Sequence, residues 1–99
     1  MLNMSKEKKA SCLTITLDGR LDTTTAPQLE DALKCSLEGI AELVIDIDKL
    51  EYISSAGLRV LLSAQKTMNR QGSLLIKNAS KEIMEIFDVT GFTDILNIE

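Results

Sequence analysis

The stretch from Leu43 to Leu62, LVIDIDKLEYISSAGLRVLL, limits what this chain can fold into more than any other. Its first part, Leu43-Val44-Ile45 extended by Ile47, is the near-continuous apolar run of a strand covered on both faces. The period then changes: Leu58, Leu61 and Leu62, continued through Gln65 to Met68, recur as one face of a helix does. Between them Asp48 to Ile53 reads as an acidic, polar loop, and Ser54-Ser55-Ala56-Gly57 sets two adjacent hydroxyls where the helix starts. In an open sheet with parallel strands, loops after the strands' carboxyl ends are where ligands and partners usually meet the fold. Function is therefore expected at this loop.

The flanking segments supply the rest of a sheet. Met4 to Lys9 reads as an edge strand, and Cys12 to Leu17 as a second strand in which Leu13, Ile15 and Leu17 alternate with polar positions. Asp18-Gly19-Arg20 is a turn or bulge, after which Leu21-Asp22 runs into Thr23-Thr24-Thr25. A helix opens near Thr25 to Gln28, where Thr25 and Gln28 fit a capping box and Pro27 suits the first turn; Leu29, Ala32, Leu33 and Leu37 form its inner stripe and Gly39 stops it. After the central strand Leu43 to Ile47, a helix is expected from Ser55 to about Arg70, with Gly72 ending it in a left-handed turn. Ser73 to Lys77 is a short buried strand. Lys81 to about Val89 is a third helix, introduced by Asn78 and Ser80 and ended by Gly91. Residues 92–98 suit either a helical turn or an extended piece. Right-handed crossovers make the later strands parallel, while the opening hairpin leaves an antiparallel strand at the edge. The expected class is α/β, a small mixed, mostly parallel sheet with an antiparallel amino-terminal edge strand and three to four helices, forming one domain over residues 1–99.

Composition excludes several functions. A net charge of −4 argues against nucleic acid as a partner, and the Lys6-Glu7-Lys8-Lys9 cluster is too short and mixed to alter this. Two cysteines and no histidine give neither a disulfide framework nor a metal-ligand set. No apolar stretch reaches the roughly 20 residues of a membrane span, and MLNMSKEKK lacks a signal-peptide core, so a soluble, reducing, cytoplasmic setting is expected. Without histidine there is no Ser-His pair, no Gly-x-Ser-x-Gly elbow is present, and no glycine-rich loop is there to cradle a nucleotide. The chain is expected to be a non-enzyme without cofactor or metal.

A serine at a helix start is ordinarily a cap, and one serine suffices. Ser54 and Ser55 are two. A phosphate on Ser55 would be tolerated at a helix amino terminus, yet would add about −1.5 to −2 charge beside Asp22, Asp46, Asp48 and Glu51 if those cluster there.

Two motifs carry a family resemblance. Tyr52-Ile53-Ser54-Ser55-Ala56-Gly57-Leu58-Arg59 resembles the signature of the STAS domain of bacterial anti-sigma-factor antagonists, a loop and then Asp-Ser-Ser/Thr-Gly-Leu opening a helix. Gly19-Arg20-Leu21-Asp22 with Thr24 to Pro27 resembles the family's Gly-x-Leu-Asp segment. The resemblance implies a phosphorylation-controlled partner switch. The unmodified protein binds an anti-sigma factor that is also a serine kinase and so releases a sigma factor; the kinase phosphorylates the serine aligned with Ser55, which breaks the complex; a serine phosphatase restores it. Ser54 stands at the family's aspartate position and Ala56 at that of its second Ser/Thr. The implied partner-binding residues are Asp22, Thr23, Thr24, Ser54, Ser55, Ala56, Gly57, Leu58 and Arg59, with Leu58 either an inner anchor or a rim contact and Arg59 pointing outward.

Two rival readings follow from the same residues. Asp22, Asp46, Asp48 and Lys77 superficially resemble the Mg²⁺ pocket of a response-regulator receiver, but receivers open with a strand-helix unit and this chain opens with a hairpin. A STAS-type scaffold or accessory subunit of a transporter or signalling assembly would keep the fold without the switch, with Ser55 as a mere cap.

Overall fold

In the computed structural model, which describes residues 2–99, the chain runs β1 (Leu2–Lys9), β2 (Cys12–Leu21), α1 (Ala26–Ser36), β3 (Glu42–Ile53), α2 (Ser55–Gln71), β4 (Ser73–Lys77), α3 (Lys81–Thr90) and a 3-10 turn at Phe92–Asp94. The strands pair in the order β1-β2-β3-β4. β1 is antiparallel to β2, while β2–β3 and β3–β4 are parallel. This is the mixed sheet expected, with three helices.

One face of that sheet is the floor of the core. Leu13, Ile15 and Leu17 of β2, Leu43, Ile45 and Ile47 of β3, and Leu74 and Ile76 of β4 are all buried and alternate along strands whose register pairs Leu13 with Leu43 and Leu43 with Leu74, so they point to the same side. Leu29 and Leu33 of α1, Leu61 and Met68 of α2, and Ile83 and Phe87 of α3 join them in one cluster. Thr14, Thr16, Val44 and Leu75 face the other way and are half-buried. The run Leu43-Val44-Ile45 is therefore not a strand covered on both faces, as its apolarity implied; only one face carries helices.

β3 also outruns its expected length. Asp48 to Ile53 is strand rather than loop. The buried residues of this half are Ile47, Leu50 and Ile53, three apart instead of two. The register explains the change: Thr16 pairs with Asp46 but Asp18 with Lys49, and Gly19 pairs with Leu50 but Arg20 with Tyr52. Each step inserts one extra residue into β3, a bulge that lets the strand continue while turning two consecutive polar side chains to solvent. Asp18 to Arg20, expected as a turn or bulge, are instead part of β2, and the extra residues lie opposite them in β3.

At the end of α2, Gly72 is extended (φ 172°) and not left-handed. What needs glycine here is space: a Cβ would overlap the Ala41 carbonyl oxygen and lie 2.6 Å from its carbon. Gly91 does end α3 in the left-handed conformation. The tail resolves into both alternatives in sequence, a 3-10 turn followed by an extended piece. Ile76 N–H donates to Asn97 O (2.9 Å) and Glu99 N–H to Ile76 O (2.8 Å), along the free edge of β4.

Candidate functional site

α2 begins where β3 stops, and Ser54 sets the junction. Its backbone is extended (φ −94°, ψ 174°), and its Oγ accepts a hydrogen bond from the Gly57 N–H at 3.3 Å. That satisfies one of the amides a helix start leaves without a partner. Ser55, the first helical residue, is thereby spared. It is exposed, and among the described residues its Oγ makes no hydrogen bond. Ser54→Ala is expected to lower stability by about 1 kcal/mol, read as a lower denaturant midpoint, whereas Ser55→Ala should stay within about 0.5 kcal/mol of the parent.

Gly57 is buried in the first turn of α2. A Cβ at this position would sit 2.7 Å from Leu21 Cγ and 3.0 Å from Ile53 Cγ1, so the bare backbone lets the helix lie directly on the ends of β2 and β3. Leu58 is 5% exposed and packs inward, Ala56 is half-buried, and Arg59 is exposed, as its outward placement required. A groove beside this turn is lined by Ser55, Leu58, Arg59, Leu62, Thr90 and Phe92. The last two come from the end of α3 and the turn after it, which the sequence motifs did not single out.

The neighbouring strand end is held against the same turn. Leu21 pairs with Ile53, and the Ser54 N–H donates to Leu21 O at 2.8 Å, which sets Asp22 beside Ser54. Asp22 then folds the chain into α1. Its Oδ1 accepts from the Thr24 Oγ1 (2.7 Å), the Thr24 N–H (3.0 Å) and the Thr25 N–H (3.1 Å). The capping box expected from Thr25 and Gln28 does not form. Thr25 Oγ1 accepts from the Asp22 N–H and donates to Arg20 O, both at 2.8 Å, while Gln28 Nε2 reaches Leu2 O at 3.3 Å. The Asp22 carboxylate takes the Thr25 amide that Gln28 would have met, while the Ala26 and Gln28 N–H groups donate to the backbone oxygens of Asp22 (2.8 Å) and Thr25 (3.0 Å).

The Thr24 hydroxyl, foremost, holds the Asp22 carboxyl below the ordinary carboxylate range; desolvation works against it, and the Thr25 and Thr24 amides add to the lowering. A lowered folded-state pKa means that the carboxylate's contribution is complete above the unfolded value and is lost as pH falls through the folded one. Asp22→Asn is thus expected to flatten the acid limb of the stability profile below about pH 4, measured by thermal melts against pH, with parent and variant converging at the acid end.

Thr23 and Thr24 are exposed on this turn. Arg20 and Tyr52, opposite each other across β2 and β3, close its flank, the guanidinium 4.6 Å from the ring centroid and 3.9 Å from Asp22 Oδ2. Neither was among the expected site residues; their pairing depends on the β3 bulges. Of the acidic residues considered with Ser55, Asp22 follows the Leu21 that pairs with Ile53, and Glu51 is exposed on β3. Asp46 lies eight residues before Ser54 on β3, roughly 25 Å away at the usual strand rise, and its Oδ1 accepts from the Asp48 N–H and Asn78 Nδ2 instead. Among the described residues no group of three or more His, Cys, Asp and Glu could hold a metal ion, and no helix is long and apolar enough to cross a membrane.

These features now meet their relatives. The STAS domain model matches residues 3–99. The anti-sigma-B factor antagonist of Bacillus subtilis is 31% identical over 98 residues, covering 98% of this chain and 90% of that protein. Among solved structures, an anti-sigma factor antagonist from Mycobacterium paratuberculosis superposes with a TM-score of 0.89 at 20% identity, over 99% of this chain and 85% of that one. The Bacillus cell fate determinant SpoIIAA, in its phosphorylated form, does so with a TM-score of 0.77 at 16% identity, over 98% and 91%. The structural neighbours establish the fold, and the family match along almost the whole length establishes kinship: this chain belongs to the STAS domain family.

Proposed function

We propose that this chain is an anti-sigma-factor antagonist that works as a partner switch. Unmodified, it binds an anti-sigma factor with serine kinase activity and thereby frees a sigma factor. The kinase transfers the γ-phosphoryl group of ATP to Ser55 Oγ; ADP leaves, the hydroxyl proton passes to the kinase, and the complex breaks. A serine phosphatase hydrolyses the ester and resets the switch.

The observation that carries this reading is the division of labour between two adjacent serines. Ser54 caps α2, and Ser55 presents a hydroxyl that has no partner among the described residues. A helix can thus be started by one oxygen while the other is modified, and the dipole at that end accommodates an anion without unfolding. The departure from the family motif at Ser54 has a physical account, since aspartate and serine are about equally good caps. Docking is proposed over Asp22, Thr23 and Thr24 on one loop and over Ser54 to Arg59 on the other. Gly57 and Leu58 act from beneath, as the packing that holds the exposed residues in place.

A relative named an anti-sigma-B factor antagonist and matched over 90% of its length favours this reading over a transporter-associated scaffold. The test is calorimetric titration of the chain into its cognate anti-sigma kinase, for the parent and for Ser55→Asp. Tight binding by the parent and weakened binding by the variant are expected; equal affinity of the two contradicts the switch.

A further inference from the structure

We propose that Arg59 is the intramolecular counter-ion of a phosphate on Ser55, so that modification withdraws a positive charge from the docking surface while adding negative ones. This deepens the reading above and rests on Ser55 being the phosphoacceptor.

Ser55 is the first residue of α2 and Arg59 lies four residues on, the spacing that stacks side chains on one face of a helix. Both border the same groove, which Leu58 and Leu62 also line. An anion one turn before a cation is the favourable order for such a pair, because each end then complements the dipole. Arg59 is exposed and, among the described residues, forms no ion pair, while Arg20, the other arginine at this end of the sheet, is stacked on Tyr52 and lies beside Asp22.

The chemistry suits a guanidinium. A phosphate offers three acceptor oxygens, and the planar fork of arginine can take two of them in parallel, which an ammonium cannot. A solved relative of this fold exists in a phosphorylated form, so the fold tolerates the group. In the unmodified chain Arg59 is available to a carboxylate of the partner. Once Ser55 carries phosphate, the nearest anion is its own. The docking face then changes by the charge of the phosphate and also by the loss of a cation, and the phosphorylated domain stays folded because its new charge is met locally.

The test needs no partner. Phosphoserine is installed at position 55 during synthesis in the parent and in Arg59→Gln, circular dichroism confirms that both fold, and the second ionisation of the phosphate is followed by ³¹P NMR against pH. The expected result is an apparent pKa about 0.2–0.4 unit lower in the parent than in Arg59→Gln, a difference that shrinks in 1 M salt. Identical titrations of parent and variant would overturn the proposal. The partner-switch reading fails separately: a lowered phosphate pKa together with unweakened kinase binding by the phosphorylated chain would leave the ion pair standing and remove the switch.

Discussion

Replacing Gly72 with alanine is expected to destabilise the chain by about 3 kcal/mol, lowering its melting temperature by more than about 10 °C for a domain of this size. The backbone conformation is not the reason, because φ is 172° and any residue can adopt it. The reason is steric. A methyl group at Gly72 would overlap the Ala41 carbonyl oxygen, and neither partner is a side chain that can swing aside. The Ala41 peptide is fixed at both ends: its N–H donates to Ser11 O at 2.8 Å and its oxygen accepts from the Ser73 N–H at 2.9 Å. That second bond starts the parallel pairing of β3 with β4, which registers Glu42 with Ser73. Relief would require moving the first rung of the ladder. Thermal and urea melts read the effect directly; a midpoint equal to the parent's would show that this crossing yields easily.

For Ser55→Asp the expected result is a loss of about 100-fold or more in affinity for the anti-sigma kinase, about 2.7 kcal/mol, with stability unchanged or raised by about 0.3–1 kcal/mol. The two effects separate because they come from different neighbours. Inside the chain, a carboxylate in the first turn of α2 meets the positive end of the helix dipole. Across a closed interface, the same charge is stripped of water, and burying an uncompensated ion there costs about 2–5 kcal/mol. Ser55→Ala removes only the hydroxyl and should retain affinity within about tenfold. Calorimetry on the three proteins distinguishes a charge effect from the loss of a contact; an equal loss for alanine and aspartate would assign the role to the hydroxyl itself.

Much of the fold is legible in the residues themselves. Alternation of Leu13, Ile15 and Leu17, the apolar run after Leu43 and the helical period after Ser55 are local patterns, and local patterns fix element order. Two serines before a helix are equally local, which is why the separation of cap from free hydroxyl could be read. What escaped was set by contacts between distant segments. The β3 bulges break the two-residue period, so Asp48 to Ile53 imitates a loop; only pairing with β2 makes it strand. Thr25 and Gln28 satisfy a capping pattern, but Asp22 Oδ1 takes the Thr25 amide and the Thr25 hydroxyl is held between the Asp22 N–H and Arg20 O. Gly72 resembled a left-handed stop because the close approach of Ala41, thirty-one residues earlier, leaves no trace in the neighbouring sequence. The share of Thr90 and Phe92 in the groove beside Ser55 likewise depends on where α3 comes to rest.

Incubating the chain with its cognate anti-sigma kinase and Mg·ATP, followed by fragmentation mass spectrometry of the segment spanning residues 52–59, tests the separation of the two serines most directly. A single phosphate on Ser55, with Ser54 unmodified, is the expected product, since Ser54 Oγ is engaged by the Gly57 amide and Ser55 Oγ has no hydrogen-bond partner among the described residues. A phosphate on Ser54, or a kinase that binds the chain and leaves this segment unmodified, would contradict it.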